Sequence, residues 1–280
     1  MSTLTTDSTV TMNDGNRIPL LGFGVFQLDD PAICEGAVST ALEAGYRHID
    51  TALKYGNEAS VGRAITQSAV PREDIFLTTK ASFEQSPEAI RAGFANSLEC
   101  LQTDYVDLFL IHWPMDDETL PGAWETLQRM QEEGLCRSIG VSNMTIRRFE
   151  EVIFAHSDRV PAVNQIELHV YNQQRELVEY CRGKGMVMEA YSSIAQGKRL
   201  AQPGKALADI AARHGKSVVQ VMLRFLVQQD IVTLAKSATP ARIRENIDIF
   251  DFALDDEQMA AIGDLNEDFF VRDWAPEGYY

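Results

Sequence analysis

Eight short apolar runs, each followed by a segment of helical period, recur along most of this chain: LLGFGV, YRHID, IFLTT, VDLFLIH, SIGVS, AVNQIE, MVMEA and IVTLA. The intervening segments predict helices over 31–44, 57–68, 87–100, 119–133, 145–155 and 173–182. A helical pair over 204–214 and 217–228 precedes the last run, and 240–247 and 255–262 follow it. The runs are apolar on both faces, as strands of a parallel sheet covered by helices must be. Eight such units in 280 residues, with no linker between them, predict a closed (β/α)8 TIM barrel, an α/β fold. A doubly wound sheet is the alternative, and it would announce a nucleotide site by GxGxxG after its first strand. GFGVFQ has two glycines and no third to open a helix. Before the first unit, TVTM and NRIPL flank NDG, the signature of a β-hairpin. Residues 1–280 are therefore expected to form one barrel domain with an N-terminal hairpin and a short tail over 266–280.

The net charge of −16 argues against a nucleic-acid or anionic-membrane surface, because a phosphate backbone would be repelled at long range. Cys34, Cys100, Cys136 and Cys181 form no CxxC pair, and the five histidines form no HExxH. They read as reduced thiols without a metal pattern. MSTLTTDSTV has neither a basic head nor an apolar core, so a cytoplasmic protein is expected.

In such a barrel, residues at the C-terminal strand ends converge on one face. Asp50 ends the second barrel strand, Lys80 the third and His112 the fourth, and Tyr55 follows Asp50 in HIDTALKYGNE. Singly these are a turn former, a solvated cap and a core histidine. Together they suit proton transfer. A phenol with a pKa of about 10 is too weak an acid at neutral pH, and a neighbouring ammonium would stabilise its phenolate. Asp50 supplies the counter-charge a buried Lys80 needs, and His112 can orient a carbonyl oxygen. A Schiff-base role for Lys80 competes, but pairing with Asp50 would keep the amine protonated and poorly nucleophilic.

GYRHIDTALKYGNE, TDYVDLFLIHWP and TTK, followed in order by RSIGVSN, VNQIELH, AYSSIAQG and LAKSATPARIRENIDIFDF, resemble the ordered blocks of the aldo-keto reductase superfamily. The resemblance covers essentially the whole chain. It implies an NADPH-dependent reductase of aldehydes and ketones, monomeric, with Tyr55 as proton donor and Asp50, Lys80 and His112 beside it. It also implies that Ser142, Asn143 and Gln165 hold the nicotinamide carboxamide, that Tyr191 stacks on the ring, and that Gly24 lies nearby. Residues matching Lys236, Ser237 and Arg242 grip a 2′-phosphate, and those matching Glu245 and Asn246 contact adenine. Physically, a Lys and an Arg beside a helix N-terminus suit a phosphate, which favours NADPH over NADH. A non-catalytic NADP-binding regulatory subunit on the same barrel is the alternative, although such a role needs no proton donor. Three substrate-pocket positions depart from the family pattern or border it: Phe26, Lys54 and Trp113. The tail aromatics Phe269, Phe270, Trp274, Tyr279 and Tyr280 are candidates for covering the barrel mouth.

Overall fold

The protein is described by a computed structural model covering residues 4–271. Strands β1 (Thr9–Thr11) and β2 (Arg17–Pro19) pair antiparallel as the expected hairpin. The next eight strands are β3 (Leu21–Gly24), β4 (His48–Asp50), β5 (Phe76–Lys80), β6 (Val106–Ile111), β7 (Cys136–Ser142), β8 (Val163–Glu167), β9 (Val187–Tyr191) and β10 (Val232–Ala235). They close into a barrel in chain order, with β10 pairing β3, and each neighbouring pair is parallel.

The helices wrap the barrel: α1 (Pro31–Ala44), α2 (Glu58–Gln67), α3 (Pro87–Leu101), α4 (Leu120–Glu132), α5 (Ile146–Arg148), α6 (Arg175–Gly183), α7 (Lys205–His214), α8 (Val218–Val227), α9 (Pro240–Ile247) and α10 (Asp256–Gly263). Local chemistry fixes their ends. Asp30 caps α1 by accepting from the Ala32 and Ile33 amides, Pro31 sits where no amide is needed, and Gly45 ends the helix at φ 107°. The helix expected over 145–155 departs from its pattern. After the single turn of α5 the chain widens into a π segment, Phe149–Ile153, closed by Phe154 N donating to Phe149 O at 2.8 Å. That spacing leaves the Phe149 and Phe154 rings stacked, 5.8 Å apart at 19°.

Alternation along each strand divides the core in two. Leu77, Phe109, Ile139, Ile166 and Met188 face out and pack against the helices. Phe76, Leu108, Leu110, Val163, Val187 and Val232 face in and form a separate cluster with Met12 and Ile18 of the hairpin region. The hairpin thus plugs the N-terminal end of the barrel. Further along four of the strands the inward positions turn polar: Phe76 gives way to Thr78 and Lys80, Val163 to Gln165, Val187 to Glu189, and His48 leads to Asp50. All of these are buried. Gly22 makes room in this layer, since a Cβ there would lie 2.7 Å from His48 Nδ1.

Burial pushes the Cys34 thiol up to about 11 and those of Cys136 and Cys181 to about 12, so these three are poor nucleophiles. All four cysteines are free thiols.

Candidate active site

The C-terminal strand ends open into a groove of about 860 Å3, within the size range of small-molecule and cofactor sites. Asp50, Tyr55 and His112 line it, with Lys80 immediately beneath. Three of the four are placed by different strands. Asp50 and Lys80 are the inward-facing last residues of β4 and β5. His112 follows β6 in the same inward register as Leu108 and Leu110. Tyr55 comes from a 3-10 turn, Leu53–Tyr55, that starts three residues after Asp50 and ends at Gly56 with φ 68°.

Lys80 is 1% exposed. Its Nζ donates to both Asp50 oxygens at 2.7 Å and to the Thr51 carbonyl at 3.0 Å, and the Tyr55 hydroxyl stands 3.4 Å away. An ammonium has three protons, and the three shorter contacts account for them. Tyr55 therefore feels the charge of Lys80 more than a hydrogen bond from it. Burial alone would lower the lysine pKa, but Asp50 first, then Tyr55 and Glu189, outweigh burial and leave it raised. That pairing favours a charged ammonium over a free amine and argues against a Schiff-base role. The Tyr55 ring is held edge-on to His112 at 5.6 Å and tilted against Phe26 at 5.0 Å.

A second set of polar groups runs round the β7–β9 sector. Ser142 Oγ donates to the Gln165 carbonyl at 2.9 Å, and Asn143 Nδ2 donates to the His112 carbonyl at 3.1 Å and to Ser142 Oγ at 3.0 Å. The Tyr191 hydroxyl donates to Asn143 Oδ1 at 2.5 Å, which ties down the ring. Asn143 itself sits at φ 62°, a left-handed conformation that asparagine tolerates better than most residues. Gln165 Nε2 donates to Asp50 Oδ2 at 2.9 Å and to Glu189 Oε2 at 3.0 Å. With both amide protons spent, Gln165 can offer the groove only its carbonyl oxygen.

At the β10 end, Lys236, Ser237 and Arg242 line the groove. Surrounding walls desolvate the Lys236 ammonium and hold its pKa below the ordinary lysine value, an effect opposed by Asp29. A cation under that strain, an arginine and the N-terminus of α9, where no side chain caps the amides, fit an anionic group such as phosphate. The acceptor offered by Gln165 fits an amide N–H. The donor set thus matches a nicotinamide dinucleotide phosphate at both ends of the groove.

Of the other expected residues, Gly24, Phe26 and Lys54 line the groove, whereas Trp113, Glu245 and Asn246 do not. Trp113, expected as a wall residue, is 2% exposed, and its carbonyl accepts from Gln85 Nε2 at 2.6 Å. Phe83 lines the groove, 5.4 Å from His112. Phe269 packs on His169 and Arg199. Trp274, Tyr279 and Tyr280 lie outside the described residues. Glu189, Thr51 and Phe83 were not singled out from sequence. The two-residue period that leads from Val187 to Glu189 was the available signal for the first.

A sequence model described as the Aldo/keto reductase family matches residues 21–267. Among curated relatives, a glyoxal reductase of Bacillus subtilis is 42% identical over 261 residues, covering 93% of each chain. A crystal structure of an aldo/keto reductase from Brucella melitensis is 46% identical, with a TM-score of 0.88 over 93% of this chain and 100% of that one. A Bombyx mori aldo-keto reductase, solved in complex with NADP, is 34% identical and superposes with a TM-score of 0.89 over 97% of this chain and 96% of that one.

Proposed function

The chain belongs to the aldo/keto reductase family, and from that premise we propose that it reduces aldehydes and ketones to alcohols with Tyr55 as the proton donor. It is an NADP-dependent oxidoreductase. The bound nicotinamide supplies hydride in this chemistry. The carboxamide would be held by Ser142, Asn143 and Gln165, the ring would lie against Tyr191 near Gly24, and Lys236, Ser237 and Arg242 would take the 2′-phosphate. Glu245 and Asn246, if they meet the adenine, do so beyond the groove wall.

The chain's own groups carry the rest. His112 orients the substrate oxygen beside Tyr55. As that oxygen gains negative charge, Tyr55 gives it a proton, and the phenolate left behind is stabilised by the Lys80 ammonium 3.4 Å away. Asp50 keeps Lys80 charged, and Gln165 holds Asp50 in place. In the reverse direction the same phenolate accepts the alcohol proton, so oxidation is favoured as pH rises.

The observation that carries this reading is the buried Asp50–Lys80 pair whose ammonium stands 3.4 Å from the phenol at the groove. A purely regulatory cofactor binder has no use for such a contact. The test follows NADPH absorbance with a panel of carbonyls for wild type and Tyr55→Phe. Loss of the acid is expected to lower kcat by roughly 10²–10⁴-fold, while NADPH binding, read by fluorescence, changes little. Equal turnover by the two proteins ends the proton-donor assignment.

A further inference from the structure

The charges on the groove wall are one-sided. Among the described residues lining it, the cations are Lys54, Lys236 and Arg242, and the single carboxylate, Asp50, is neutralised by Lys80. In a chain of net charge −16, that is a local reversal of sign. Lys236 and Arg242 follow β10, the sector assigned above to the cofactor phosphate. Lys54 follows β4, two strands round the barrel. One anion does not explain both.

Lys54 is placed with little freedom of backbone. It is the middle residue of the 3-10 turn that carries Tyr55, a turn closed by Tyr55 N donating to the Ala52 carbonyl at 2.9 Å. Its ammonium stands 5.2 Å from the centroid of Phe83 instead of against a carboxylate. Phe83 also packs against His112, with ring centroids 5.4 Å apart. Phe83 is therefore a shared neighbour of the cation and of the carbonyl-orienting histidine, and all three line the same groove. A ring face holds an ammonium without quenching its charge, so Lys54 stays available to an incoming anion.

We infer that Lys54 is a specificity-determining residue selecting aldehydes and ketones that carry a carboxylate or phosphate at the end of the molecule away from the C=O carbon. The inference rests on the carbonyl-reductase reading of the same groove. The carbonyl lies against Tyr55 and His112, the body of the substrate against Phe83 and Phe26, and the anionic end against Lys54. An ammonium pairs with either oxyanion as a point charge, without the planar match an arginine demands.

The test compares 4-carboxybenzaldehyde, 4-formylphenyl phosphate and neutral methyl 4-formylbenzoate with wild type, Lys54→Met, Lys54→Glu and Lys54→Arg. The ratio of kcat/KM for each anionic aldehyde over the ester is expected to fall roughly tenfold or more in Lys54→Met. It should fall further in Lys54→Glu, recover in Lys54→Arg, and change chiefly through KM. Comparing the two anions shows which oxyanion the site takes. Ratios that agree within about twofold across the four proteins overturn the inference. A second arm needs no turnover: 4-(hydroxymethyl)benzoate and its methyl ester are titrated into the NADP-loaded proteins, with tryptophan fluorescence as the readout. Preferential weakening of the carboxylate in Lys54→Met supports the inference, and equal weakening or none refutes it. Failure of wild type to reduce any carbonyl would instead strike the proposed function, leaving the binding arm to decide on Lys54.

Discussion

Two aspartates are buried at opposite ends of this barrel, each paired with basic side chains, and they are finished differently. At the N-terminal end Asp107 is 4% exposed. It takes Arg137 at 3.0 Å, Arg72 at 3.0 Å and the Leu77 amide at 2.9 Å, while the two guanidinium groups sit 4.2 Å from the Tyr105 ring. Arg72 spends its other donors on the Ile75 and Tyr105 carbonyls and on Thr103. That knot ties the starts of β5, β6 and β7 together. At the other end Asp50 is 3% exposed and takes Lys80 and Gln165, but Lys80 keeps a fourth, longer contact to a phenol at the groove. Arginine is a fixed fork that stays charged; lysine is a point charge whose field reaches past its hydrogen bonds. A pair whose partners are all structural holds a frame, whereas a pair with one reacting neighbour can support proton transfer.

Replacing the basic member at the groove should show the larger effect. Lys80→Met is expected to lower kcat by roughly 10²–10⁴-fold, comparable to loss of the acid itself, because the phenolate loses its stabilising charge. Asp107→Ala should leave kcat of the folded enzyme near wild type and cost about 3 kcal/mol of stability. That figure combines an orphaned Leu77 amide with two arginines that retain some solvent. Urea unfolding measured beside steady-state turnover separates the two outcomes. A catalytic loss in Asp107→Ala matching that of Lys80→Met would erase the distinction between the ends.

The frame was legible because its periods are long and repeated. The eight strands lie where the apolar runs predict, and α1 and α9 begin and end at the expected residues. Convergence of Asp50, Lys80 and His112 needed only the rule that strand ends share a face. What was hidden depends on direction within a strand. Reading each strand as apolar on both faces conceals that the inward face changes from Val187 to Glu189 and from Phe76 to Lys80. Phe83 sits in a loop with no period at all, so only the family resemblance marks the ASF loop after Lys80 as a pocket wall. The π segment at Phe149–Ile153 keeps a helix-like apolar spacing, and its wider winding leaves no separate trace.

Glu189 offers the finest probe of the inner layer, because its hydrogen-bond link to the groove pair runs through Gln165. The groups facing it are Asp50, Lys80, Gln165 and His48, whose Nε2 lies 3.6 Å from Glu189 Oε1. Burial, and then the Asp50 charge, push the Glu189 carboxyl from 4.5 to about 8, against the Gln165 hydrogen bond and Lys80. Burial, and then Lys80, push His48 from 6.5 to about 3. Both side chains are therefore neutral at pH 7, and their proximity is not an ion pair. Their linkages run in opposite senses. A raised carboxyl contributes stability that is complete below 4.5 and is lost as pH rises toward 8; a lowered histidine contributes stability present above 6.5 and lost as pH falls toward 3. Between 4.5 and 6.5 the two slopes oppose each other, and from 6.5 to about 8 Glu189 acts alone. Glu189→Gln keeps an acceptor for Gln165 but cannot ionise. Its stability should gain on wild type by roughly 1 kcal/mol per pH unit across that upper window, read from urea midpoints at its two ends. A difference between the proteins that does not change with pH would mean that Glu189 is already ionised beneath the groove, and the inner layer would then carry a second negative charge next to Asp50.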